Sequence, residues 1–274
     1  MRLVRSEILK IRTTNVWWLF ALGALGMLVI AFFFNARSLY FALNPPEGMS
    51  PQEAAQLAAL ASPEVITPYL ATSGQYFGLM FVLLLGIITV TNEFHHQTAT
   101  TTFLTTPHRT AVIAAKAAAA AIFGFIIFVV TTAITIPATA VYLSAQDVPT
   151  AFGDWPVTRS ILLNGLAYGL WALIGVGIGV LIRSQIAATV TALVVYLVGT
   201  NALGLIIGLL ADWLKAEWIN DVIWALPAQA SGLMVSGDSM PDQPQYWVGA
   251  LVLLGWAVVT GGIGTLIMRN RDIS

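Results

Sequence analysis

Ionisable side chains of the kinds that carry chemistry crowd into one short stretch of this sequence. Residues 92–116, NEFHHQTATTTFLTTPHRTAVIAAK, bring together Glu93, His95, His96, His108, Arg109 and Lys116, with long apolar runs on both sides. Metal ligation fits poorly. His95 and His96 are adjacent rather than four apart, so they do not share a helix face. Nucleophilic and hydrolytic chemistry lacks its motifs: the chain has no cysteine, and HExxH, GxSxG and the P-loop GxxxxGK[ST] are all absent. What remains is contact chemistry. Gln97–Thr106 is polar and Thr-rich, with low intrinsic helix propensity, and Phe103 and Leu104 form an apolar pair just before Pro107. Such an element needs something to pack on and suits docking to a soluble partner; a merely solvated loop is the plain alternative.

The elements that must position this stretch are membrane spans. Of 274 residues, 58% are hydrophobic and 9% charged, with a mean hydropathy of +0.82, whereas soluble domains carry about 25% charged residues. This composition predicts an all-α integral membrane protein, read as a single membrane domain over 1–274 with no soluble catalytic module. A hydrocarbon core of about 30 Å needs roughly 20 apolar residues in a helix. Six stretches qualify, at about 16–34, 74–91, 111–143, 160–182, 186–211 and 246–268. Pro137 is expected to kink or break the outer end of the third. Only Arg183, Ser184 and Gln185 separate the fourth from the fifth, which predicts a tight helical hairpin. The first run is longer than the apolar core of a secretory signal, and Phe32-Phe33-Phe34-Asn35 is no small-residue cleavage site, so it reads as a retained span.

Six spans place both termini on one side, and the basic residues choose the side, because Lys and Arg in short loops stay cytoplasmic. Nine of the twelve (Arg2, Arg5, Lys10, Arg12, Arg109, Lys116, Arg183, Arg269 and Arg271) fall on the side of the termini. Arg37, Arg159 and Lys215 fall on the other. Of the thirteen acids only Glu7, Glu93 and Asp272 share the basic side. Both termini are therefore expected in the cytoplasm, with the chain in the cell membrane.

The span interiors hold no firmly placed ionisable residue, which argues against an ion-coupled secondary transporter and against intramembrane hydrolysis. Their polar residues are Asn164, Tyr168, Trp171, Thr189, Thr191, Tyr196 and Asn201, with Thr131, Thr132 and Thr135 on the third span. These serve either as interhelical hydrogen bonds or as a sparsely polar translocation surface, with Asn164, Tyr168, Trp171 and Asn201 the candidate lining. Gly165–Gly169 and Gly204–Gly208 match GxxxG, which lets helix backbones approach closely.

Three segments mark the membrane edges. Residues 2–15, RLVRSEILKIRTTN, put Leu3, Ile8 and Ile11 near one face and Arg5, Lys10 and Arg12 around much of the rest, which suits an interfacial amphipathic helix. Ser50-Pro51-Gln52-Glu53 is a capping box, and Ser62-Pro63-Glu64 is a second helix start. Trp213, Trp218 and Trp224 in loop 212–245 suit either an aromatic belt or a re-entrant pair of short helices.

Taken together, these residues resemble the membrane subunits of ABC-2-type ABC transporters. SEILKIRTTNVWW is similar to that family's approach to the first span. NEFHHQTATTTFLTTPHRTAVIAAK resembles its E-[FR]-x-x-G-T-x-x-x-L-L-x-T-P-x-R-x-x-x-x-x-K signature, and the terminal RNRDI resembles its Arg-Arg-Asp ending. The resemblance implies an exporter subunit of six spans with an N-terminal elbow helix. It also implies a cytoplasmic coupling helix between spans 2 and 3 and a re-entrant external region between spans 5 and 6. Glu93, Phe94, Thr98, Phe103, Leu104, Pro107, Arg109 and Lys116 would then face an ATPase, with Gln97 standing where the pattern has Gly. The implied partners are two P-loop ABC ATPase subunits, which would bind ATP and Mg, and a second copy or a related permease, among membrane lipids. No enzyme activity, cofactor or nucleic-acid partner is expected of this chain, and the implied cargo is a hydrophobic drug, lipid or peptide. A sensing or interaction subunit without transport and a stand-alone secondary transporter are the alternatives.

Overall fold

In a computed structural model of the chain, residues 2–44, 50, 62–98, 108–236 and 243–270 are described, with side chains through 267. Among them there is no strand. The helices are α1 (Arg2–Thr13), α2 (Val16–Leu43), α3 (Pro63–Ala71), α4 (Gln75–His95), α5 (Arg109–Ala145), α6 (Trp155–Leu181), α7 (Gln185–Val194), α8 (Thr200–Leu214), α9 (Pro227–Ser236) and α10 (Tyr246–Asn270). A π-helical turn, Val195–Gly199, joins α7 to α8, and a 3-10 segment, Glu217–Ala225, leads to α9. Six helical stretches are long and apolar enough to cross a membrane, as in a multi-pass membrane protein. They correspond to the six expected spans, several of them longer than expected.

Sequence chemistry sets the ends. Pro63 follows Ser62 in extended backbone and opens α3, since its missing N–H is one of the orphan donors of a first turn. The Ser50–Glu53 capping box lies outside the described residues, apart from Ser50. Three helices end on a non-glycine residue at positive φ: Gln97 (57°), Asp147 (56°) and Lys215 (51°). In each case the following N–H reaches back to a carbonyl five residues earlier, as in Val148 N–H to Leu143 O at 3.0 Å and Ala216 N–H to Ala211 O at 3.0 Å. This satisfies carbonyls that the last turn leaves unpaired. Pro137, expected to kink or break α5, does not end it. The helix runs on to Ala145 although Pro137 cannot donate to the carbonyl one turn earlier.

The inner layer is α4 against α6, and glycines let their backbones meet. A Cβ at Gly86 would lie 2.5 Å from the Ala172 carbonyl oxygen, and one at Gly175 would collide with the Leu83 carbonyl. The close crossing therefore uses Gly175 and Gly179, a GxxxG pair beyond the two expected. Gly169 and Gly208, from the expected pairs, have open space where a Cβ would stand. Leu79, Val82, Ile87, Tyr168, Ala172, Val176, Met234 and Leu253 fill the main core around this crossing.

Side-chain hydrogen bonds tie the periphery to the centre. At the end of the bundle carrying Arg37, Tyr142 O–H donates to Ala36 O at 2.6 Å and Thr135 O–H to Ala71 O at 2.6 Å. Asn35 Nδ2 donates to Ser73 Oγ at 3.1 Å. The segment after α8 enters the bundle: Trp171 Nε1 donates to Ser231 Oγ at 2.7 Å, and Gln75 Nε2 donates to Ser231 O at 3.1 Å. Trp213 and Trp218 stay exposed on its approach. The α2 and α7–α8 stretches, by contrast, are mostly exposed along the sides of the bundle.

Candidate functional site

At the opposite end from Arg37, four charged side chains from three helices meet in one clamp. Glu7 and Lys10 come from α1, Glu93 from the last turn of α4, and Lys116 from the second turn of α5. Lys116 Nζ lies 2.8 Å from Glu7 Oε2 and 2.8 Å from Glu93 Oε1, and it also donates to Thr89 O at 3.1 Å. Lys10 Nζ lies 2.7 Å from Glu7 Oε1 and 2.7 Å from Glu93 Oε1. Two cations and two anions balance.

Burial makes the inner part of the clamp consequential. The side chains of Lys116, Glu7 and Glu93 are 4%, 5% and 9% exposed, against 48% for Lys10. A charge withdrawn from water in this way is tolerated only when paired and hydrogen-bonded. Among the described residues these three are the only buried charges. Burial pulls the Lys10 ammonium down, but hydrogen bonds to Glu7 and Glu93 and the attraction of both carboxylates outweigh it. The group is held above the ordinary lysine value.

Helix α1 reaches the clamp because its apolar face docks on the bundle. Ile11 joins Leu85, Ala119 and Phe123, with Ile8, Trp17 and Phe20 against them. Lys10 and Glu7, one turn apart, then point to one side, and Glu7 is drawn inward with the apolar face. Of the expected elbow cations, Arg5 and Arg12 are exposed, while Lys10 turns to the two carboxylates.

The remaining docking residues divide. Glu93 and Lys116 face inward to Glu7. Phe94 rests against the core, with the Arg183 guanidinium from the α6–α7 turn 5.5 Å above its ring. Arg109 is the half-buried first residue of α5. Phe103, Leu104 and Pro107, with the coupling helix itself, lie outside the described residues. Thr98 closes the end of α4: its N–H bonds Glu93 O at 2.9 Å, Gln97 N–H bonds Phe94 O at 3.2 Å, and Gln97 has φ 57°. This is a Schellman end with Gln97 at the left-handed position, where glycine is favoured. The glycine of the resembled pattern thus falls on a residue whose backbone here requires positive φ. Beside the clamp, an open notch of about 380 Å³ is bordered by Asn92, His96, Thr98 and Thr14.

Of the four candidate lining residues, three are buried and one is exposed. Asn164 and Tyr168 are buried in helix contacts near Thr131, and Asn164 Oδ1 has no hydrogen-bond partner among the described residues. Trp171 is buried on Ser231. Asn201 is exposed on α8 and donates to Leu197 O in the preceding π-helical turn at 2.8 Å. Among the described residues no cluster of His, Asp or Glu is arranged to hold a metal.

The clamp went unforeseen, because Glu7 reads in the sequence as a lone acid on a cationic face. The signal was present in the charge count. Glu7 and Glu93 are two of the three acids on a side otherwise basic, and an acid out of place implies a partner. Comparisons with protein-family models and with curated proteins give no match for this chain.

Proposed function

We propose that this chain is the membrane subunit of an ATP-driven exporter of the ABC-2 type, moved by separate ATPase subunits that dock on residues 93–107. The observation that carries the reading is the clamp. It joins both roots of the segment 96–108, Glu93 on one side and Lys116 on the other, to the N-terminal helix through Glu7 and Lys10. A push on that segment therefore moves α1, α4 and α5 together rather than bending a loop. Coupling between sites requires a rigid element of this kind that biases two arrangements of the bundle.

Other features support the same reading. Nine of twelve basic residues on the side of the termini favour a cytoplasmic clamp in the cell membrane. The contacts of α9 with Trp171 and Gln75 support a re-entrant region between spans 5 and 6. The exposed sides of α2 and α7–α8 leave room for a second copy or a related permease. An apolar interior suits a hydrophobic drug, lipid or peptide as cargo.

The test is mass spectrometry of what co-purifies with the tagged chain from native membranes in mild detergent. The expected result is a stoichiometric P-loop ATPase that is lost on Phe103→Asp. With Glu93→Ala, ATP hydrolysis should persist while transport fails. A chain recovered without any ATPase, under conditions that keep a control transporter whole, would overturn the proposal.

A further inference from the structure

The bundle carries a second feature, remote from the clamp. Between α2 and α5, at the end carrying Arg37, runs an apolar groove of about 520 Å³ with Ala36 and Thr135 at its floor and Val29, Phe33 and Ile134 on its outer rim. Its rim residues are exposed on the side of the bundle, in stretches that are long and apolar enough to lie in lipid. Two dimensions make the groove specific. Its lining along α2 extends from Leu28 to Tyr40, a span of about 18 Å at the helical rise. One leaflet of a hydrocarbon core is about 15 Å deep. The groove is one leaflet long.

Among the described residues, its polar end carries one cation, Arg37. The Arg37 guanidinium is exposed at the mouth and lies 4.2 Å from the Phe41 ring centroid and 5.6 Å from that of Tyr40. Those rings and Tyr142, whose hydroxyl is fixed on Ala36 O, stand at the level where aromatic side chains sit among headgroups. A guanidinium there matches a phosphodiester in charge and in hydrogen-bonding geometry.

We propose that this groove is a binding site for one glycerophospholipid of the leaflet at the Arg37 end. An acyl chain lies between α2 and α5, and the headgroup phosphate rests on Arg37, with anionic lipid preferred to zwitterionic. The site does not depend on the exporter reading, since it involves neither the clamp nor an ATPase.

Native mass spectrometry of the full chain in mild detergent, with phosphatidylglycerol or phosphatidylcholine added, tests it. Wild type should retain one phosphatidylglycerol per chain in preference to phosphatidylcholine. Arg37→Gln should abolish that preference, lowering retained phosphatidylglycerol about tenfold, a loss of one charge-assisted contact. Ile134→Trp, which fills the groove, should lower retention of both lipids, and Leu205→Trp on the exposed side of α8 should change neither. Thermal melts in the same detergent show whether each variant is folded. If Arg37→Gln does not fold, Ile134→Trp decides. Undiminished retention in the folded groove variants, or wild type without any preference, would overturn the site, leaving the groove to another part of the chain or to a second copy.

Discussion

Lys116 and Glu7 sit 109 residues apart in sequence and 2.8 Å apart in space, both almost wholly out of water. Their pairing turns the N-terminal helix from an appendage into part of the bundle. It also ranks the members of the clamp: Lys116 is its buried centre, and Lys10 its half-exposed cover.

That ranking predicts unequal costs. Lys116→Met leaves two buried carboxylates short of a cation and should cost about 3–5 kcal/mol. Lys10→Met removes a pair still partly screened by water and should cost about 1 kcal/mol or less. Unfolding of the purified variants in detergent gives the comparison, and Glu7→Gln should recover part of the loss in the Lys116→Met background. Equal costs for the two lysines would refute the ranking.

The Lys10 contribution should depend on pH in one direction. A lysine held above its ordinary 10.5 stabilises the folded state fully below that value, and the gain disappears as pH rises through the folded value. The melting difference between wild type and Lys10→Met should therefore be flat from about pH 6 to pH 9 and shrink only beyond the ordinary lysine range. A difference that fades between those limits would show that Lys10 acts by another route.

Gln97→Gly should stabilise the chain. A left-handed backbone costs a non-glycine residue roughly 1–2 kcal/mol, offset in part by the entropy glycine loses on folding, for a net gain of about 1 kcal/mol. Gln97→Ile should lose stability, being β-branched at positive φ. Both are read from thermal melts, and a destabilised glycine variant would contradict the assigned helix end.

Two glycines of similar appearance should respond in opposite ways. Gly175→Ala drives a Cβ into the Leu83 carbonyl, and the α4–α6 crossing must open at a cost of about 1–3 kcal/mol. Gly208→Ala meets nothing within 4 Å and should be neutral or gain a few tenths of a kcal/mol from helix propensity. Matching losses at both positions would place Gly208 in a contact with another chain.

Much of the architecture is legible in residue order because it is local. Apolar run length gives the six spans, and Ser62-Pro63 gives the start of α3. What escapes is what depends on distant residues meeting. Gly175–Gly179 and Gly165–Gly169 look alike as strings, yet the first pair meets the Leu83 and Ile87 carbonyls of α4, whereas Gly165 meets the Phe128 ring and Gly169 open space. Trp171 reads as an interhelical contact or as lining, and nothing near it in the sequence signals that Ser231, 60 residues away, accepts its hydrogen bond. The clamp is the extreme case, since neither Glu7 nor Lys116 carries a local sign of the other.

The span between those two residues also orders the making of the protein. During synthesis Glu7 and Lys10 emerge first, and Lys116 follows only after the first two spans have been delivered to the bilayer. Until the start of the third span arrives, the Glu7 carboxylate has no Lys116 to pair with. Closure of the clamp therefore marks the moment at which the start of the third span has come to lie against both the N-terminal helix and the end of the second span.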